Sequence, residues 1–155
     1  GTFDVVFCLG VVGYLPNGAF SDAAAELSRI LASDGTLLLS FANQHSPFRQ
    51  FRQFYYEAME TGKRLTGLGQ SAEFEYKTYT PDRVISTLQN EGLEVSVDRY
   101  LTFSTGIWNT AVQRRLYQVL EHKFDQSSTA GSLAMTWLLR AEKPAAEPAP
   151  GVAGK

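Results

Sequence analysis

His45 is the side chain best suited by type to move a proton near neutral pH, because an unperturbed imidazole titrates there. It stands in Asn43–Gln44–His45–Ser46–Pro47, directly after the apolar run TLLLSF at residues 36–41. A strand end therefore presents it; the plain alternative is a solvated loop histidine. The other histidine, His122, sits beside Lys123 at the expected end of a helix, where a cation complements the dipole and no chemistry is needed. Cys8 falls inside an apolar run and reads as a small core residue. A single cysteine excludes a disulfide framework and a cysteine-rich zinc site. No acidic or histidine cluster has metal-ligand spacing, and no serine–histidine–aspartate set can be argued. Gly10–Val11–Val12–Gly13 and Gly67–Leu68–Gly69 lack the spacing and flanks of a phosphate-cradling turn, so both read as loop glycines.

The elements that must position these residues are legible from hydrophobic period. FDVVFCL at 3–9 is short, β-branched and almost unbroken, which predicts a strand buried on both faces. Phe20, Ala23, Ala24, Leu27, Ile30 and Leu31 make a helical stripe, with Ser21 or Asp22 as cap. Ser33–Asp34–Gly35 is expected to stop it, Gly35 taking the left-handed conformation. TLLLSF is a second buried strand, and strand–helix–strand with short links is a parallel crossover. Residues 43–78 are rich in aromatics, with a helix expected from about Pro47 to Gly62 and a loop at Gly62, Gly67 and Gly69. EFEYKTY at 73–79 reads as extended, and Thr80–Pro81–Asp82 opens a further helix ending at Glu91–Gly92. Residues 93–103 alternate as a half-exposed strand, 107–123 form an amphipathic helix, 125–132 a polar loop and 133–143 a final strand. The basic pairs Arg49/Arg52 and Arg114/Arg115 fall at ordinary surface spacing.

Composition bounds what such a chain does. Its 155 residues suffice for one core; 44% are hydrophobic, 19% are charged and the formal net charge is −2. That charge gives no basic footprint for nucleic acid and no attraction to an anionic membrane surface. No apolar run is long enough to span a membrane. A reducing, cytoplasmic setting is the expectation.

FDVVFCLGVVGYLP, followed by a helix ending ILASDGTLLLSFAN, resembles the middle of the class I S-adenosylmethionine-dependent methyltransferases, of the type 11/12-like kind. YTPDRVISTLQNEGLEV is similar to the family's next helix and strand, and SLAMTWLLRAEKP to its closing strand. The resemblance reaches Pro144. It implies an α/β fold: a partial Rossmann-like sheet, mostly parallel, its last strand inserted antiparallel between its neighbours, with helices on both faces. The family's glycine-rich turn and acidic strand end are not in the sequence, and the chain enters a strand within two residues of Gly1. Residues 1–143 are therefore expected to be the carboxyl-terminal portion of such a domain, 43–78 being a substrate or lid insertion and 144–155 a disordered tail.

The resemblance implies S-adenosyl-L-methionine as cofactor and a small-molecule or lipid-like methyl acceptor as partner. Leu9, Gly10, Val11 and Tyr14 would then lie near the methionine and sulfonium end, although Gly10, Gly13 and Tyr14 replace the acidic residue and histidine of many relatives. Acceptor contacts are expected from Asn43, His45, Phe48 and Tyr55, and a base for a hydroxyl acceptor from His45, Tyr14 or Tyr55. A non-catalytic, partner-binding scaffold of the same fold is the rival reading.

Overall fold

A computed structural model describes residues 1–16, 18–66, 76–101 and 128–145 of the chain. Strand β1 (Phe3–Cys8) leads through a single 3-10 turn (Val12–Tyr14) into helix α1 (Ala19–Ile30), and strand β2 (Leu31–Ala42) returns beside β1. The two strands pair in parallel, Val5 opposite Thr36 and Cys8 opposite Leu39, so the expected crossover is present. Helix α2 (Pro47–Thr66), helix α3 (Pro81–Asn90), strand β3 (Glu94–Leu101), helix α4 (Ser128–Leu133) and strand β4 (Thr136–Glu142) follow. The sheet order is β1-β2-β4-β3, with β4 antiparallel to both neighbours. This is the inserted antiparallel last strand that the resemblance implies.

One face of the sheet carries the core. Leu37, Leu39 and Phe41 of β2 and Leu139 and Ala141 of β4 pack with Phe20 and Ala24 of α1 and Val84 and Leu88 of α3. The helical spacing of those residues explains why α1 and α3 lie there together. Residues 107–123, expected as a further covering helix, lie outside the described residues, as do His122, Arg114/Arg115, Gly67–Leu68–Gly69 and the tail from 146.

Several boundaries differ from expectation. The α1 cap is Gly18, at φ 81 and without a side-chain bond, so the helix opens ahead of Ser21 and Asp22. It ends at Ile30, where Lys143 Nζ donates to the carbonyls of Ser28 (2.8 Å) and Leu31 (3.1 Å). A cation on the last carbonyls stops the helix one turn early. The left-handed residue is Asp34 (φ 62), not Gly35, and a Cβ on Gly35 would sit 2.8 Å from the Ala32 carbonyl oxygen. Glycine is needed there for space, and the short polar Asp34 tolerates the turn. Helix α2 runs through Gly62 to Thr66. Residues 128–132, read as loop, belong to α4.

Strand β1 is the largest departure. Val6 and Cys8 turn into the core, while Phe3, Val5, Phe7 and Leu9 are 54, 50, 65 and 53% exposed. Its composition is that of a strand covered on both sides. Among the described residues only one side is covered.

Candidate functional site

Beyond the carboxyl ends of β1 and β2 lies an open cleft of about 1600 Å³, reached by Gly10 and Ala42 from the sheet and by Arg49 and Arg52 from α2. In open α/β sheets this edge is where ligands sit, because the loops there diverge and leave a crevice. Gly10 turns the chain out of β1. Its φ is +68, its amide donates to Ser40 Oγ at 2.8 Å, and a Cβ built on it would meet nothing within 4 Å. The left-handed turn demands glycine, and the space beside it is open.

The far wall is the segment 76–79. Tyr79 forms an isolated parallel bridge with Asn43, its amide donating to the Ala42 carbonyl (3.1 Å) while Gln44 donates to its own (3.0 Å). The Lys77 amide donates to the Gly13 carbonyl at 2.8 Å, and Lys77 Nζ donates to the Leu15 carbonyl at 2.7 Å. Gly13 is a close-approach position: a Cβ would fall 2.4 Å from the Tyr76 ring. Tyr76 in turn meets Tyr14 edge-on at 4.8 Å between centroids. The Arg49 guanidinium lies over the other participant of that pair, 5.2 Å from the Tyr76 centroid.

Electrostatics follow from this packing. Burial makes the Arg49 cation easier to neutralise than an ordinary arginine, Tyr76 favours the charged form, and the neighbouring Arg52 opposes it. Burial raises the Tyr76 phenol, the Arg49 charge pulling it back and Tyr14 adding to the rise. Among the described residues, the carboxylates that reach the cleft are Glu60, paired with Lys63 at 2.9 Å, and Glu57, which accepts from Gln53 at 3.0 Å.

The residues singled out from the sequence are distributed unevenly. Gly10 and Tyr14 line the cleft, whereas Leu9 and Val11 are about half exposed and do not. Asn43 is buried and fully occupied within the protein: Nδ2 donates to the carbonyls of Gly131 (3.1 Å) and Ala134 (2.9 Å), and Oδ1 accepts the His45 amide (3.0 Å). His45 itself is exposed and lies outside the cleft lining. Phe48 packs against Ala134 beside Leu133 and Trp137, and Tyr55 meets Tyr56 edge-on at 5.9 Å. Arg49, Tyr76 and Lys77 were not singled out. Arg49 has the spacing of a surface residue but is half-buried, with its guanidinium over the Tyr76 ring. Among the described residues no group of three His, Cys, Asp or Glu is placed to hold a metal, and no helix is long and apolar enough to cross a membrane.

No protein-family model matches the sequence, and no curated protein matches it. Solved structures do. A SAM-dependent methyltransferase from Archaeoglobus fulgidus is 12% identical, with a TM-score of 0.52, over 92% of this chain and 60% of that one. A SAM-dependent methyltransferase from Methanosarcina mazei is 12% identical, TM-score 0.52, over 94% and 61%. A SAM-dependent methyltransferase described as a possible histamine N-methyltransferase, from Thermotoga maritima, is 12% identical, TM-score 0.51, over 90% and 55%. The chain thus spans less than two thirds of the length of these structures. Within that span, the order β1-β2-β4-β3 with its antiparallel insertion is the fold of the S-adenosylmethionine-dependent methyltransferases.

Proposed function

We propose that this chain takes part in S-adenosylmethionine-dependent methyl transfer to a small-molecule or lipid-like acceptor, with the strand-end cleft as the meeting place of the two reactants. The observation that carries this reading is Gly10: a left-handed residue at the carboxyl end of β1, open to the cleft, in a chain with the methyltransferase fold. A backbone without a side chain at that point lets a ligand come within contact distance.

The residues present fit such a cofactor on one side. Gly10 and Tyr14 form the wall beside the sheet, and the cleft of about 1600 Å³ has room for two reactants. S-adenosylmethionine, when bound, supplies a methyl group activated on sulfonium sulfur. This chain's part is to align: Tyr14, Tyr56 and Tyr76 offer flat surfaces along the cleft, and the hydrogen bonds of segment 76–79 to Gly13 and Ala42 hold Tyr76 against Tyr14. Positioning of this kind needs no conspicuous catalytic group. Where the acceptor atom is a hydroxyl, Tyr14 is the titratable group of the three sequence candidates that lines the cleft. The remaining cofactor contacts of a whole methyltransferase, and a cytoplasmic setting, belong to the same proposal.

Calorimetric titration with S-adenosylhomocysteine tests it. Saturable binding that a Gly10→Val substitution abolishes supports the reading; binding indifferent to that substitution removes Gly10 from the site. A second reading, a partner-binding scaffold of the same fold, is favoured by one feature, the bare apolar row Phe3, Val5, Phe7 and Leu9.

A further inference from the structure

Arg49 is a half-buried guanidinium for which the described residues provide no carboxylate. It lies over the Tyr76 ring, 5.2 Å from the centroid, in the same cleft that Gly10 enters. Arg52 follows one helical turn later and lines the cleft too, so two like charges share a helix face and repel. Lys77 and Arg83 reach the same space. Against these cations stand Glu57 and Glu60, both on the later turns of α2 and both already engaged, by Gln53 and Lys63. A partly desolvated cation that the described residues leave without a counter-ion is costly, and an incoming anion relieves that cost. A guanidinium seated over a ring keeps its in-plane N–H edge available for a planar oxyanion, in the two-bond fashion that lysine cannot copy.

We propose that Arg49, assisted by Arg52, forms an oxyanion subsite that recognises a carboxylate or phosphate on the methyl acceptor. The inference rests on the methyl-transfer reading for the word acceptor, and on the geometry of α2 and Tyr76 for the subsite itself. It narrows the substrate class from any small molecule to an anionic one. Tyr14 and Tyr76 beside the guanidinium favour an acceptor with a flat apolar body.

The test titrates the intact protein with benzoate and with inorganic phosphate, the two probes separating carboxylate from phosphate, and separately with S-adenosylhomocysteine. The variants are Arg49→Ala, Arg49→Lys and, as a control remote from the cleft, Arg29→Ala, each checked for folding by circular dichroism. The subsite predicts that at least one anion binds, that Arg49→Ala weakens it about tenfold or more, and that Arg49→Lys restores part of the loss. Arg29→Ala leaves it unchanged, and S-adenosylhomocysteine affinity does not respond to Arg49→Ala. Equal anion affinity in Arg49→Ala, or no anion binding by the parent chain, overturns the proposal. So does loss of S-adenosylhomocysteine binding in Arg49→Ala, which would give the arginine to the cofactor. Anion binding with no S-adenosylhomocysteine binding in the parent chain instead sinks the methyl-transfer reading and leaves the subsite standing.

Discussion

Asn43 ties the end of β2 to the segment before β4 through two hydrogen bonds donated to Gly131 and Ala134, and its Oδ1 accepts a third, local one from the His45 amide. Replacing it by alanine takes this donor from the Ala134 carbonyl, while the Gly131 carbonyl keeps the Trp137 indole N–H at 2.9 Å, so Asn43→Ala is expected to cost about 1–3 kcal/mol, seen as a lowered denaturant midpoint. A residue that held substrate instead would lose affinity with little change in stability. Gly10 makes the converse case. Its φ of +68 strains any other residue, so Gly10→Ala should cost about 1 kcal/mol or more even though nothing lies within 4 Å of the added methyl. Cys8, the only thiol, gives a clean pH readout. Burial holds its pKa above the ordinary value. The unfolded chain therefore sheds this proton first, and stability should fall as pH rises from the ordinary thiol pKa to the raised one. Alkylation of the folded protein should show its midpoint displaced upward; a midpoint at or below that of a free thiol would contradict the packing of Cys8.

Elements differ in how much tertiary context they need, which governs what the sequence reveals. α1 and α3 bury stripes whose period reports the buried face, whereas β1 and β2 are legible as strands from short apolar runs that do not say which face of β1 is covered. The ends of these elements are not legible. Lys143 caps the last carbonyls of α1 across 112 residues of chain, and the left-handed turn falls on Asp34 while Gly35 is a position of close approach. The cleft was half legible: Gly10 and Tyr14 follow from their place after a strand, whereas Arg49 and Tyr76 meet only through the fold. The same contrast separates two helices energetically. Leu88 on α3 is fully buried, so Leu88→Ala should cost about 2–5 kcal/mol. α2 has no fully buried side chain and Phe54 is 69% exposed, so Phe54→Ala should stay within about 0.5 kcal/mol. Chemical denaturation of the pair checks the ordering.

At the scale of the whole molecule, the sheet is asymmetric: one face and one end are built up, while β1 offers Phe3, Val5, Phe7 and Leu9 to solvent. A row of that kind binds hydrophobic dyes, and Phe7→Lys should lower dye fluorescence without lowering stability, since its side chain leaves no core contact behind. The central claim, however, concerns the other end, where an open cleft lies against Gly10. The measurement that bears on it most directly is a calorimetric titration of the intact protein with S-adenosylhomocysteine, repeated for Gly10→Val. The account predicts saturable binding of one molecule per chain, lost in the variant. Absence of heat and of any thermal shift at millimolar ligand, in a chain shown to be folded, would contradict it.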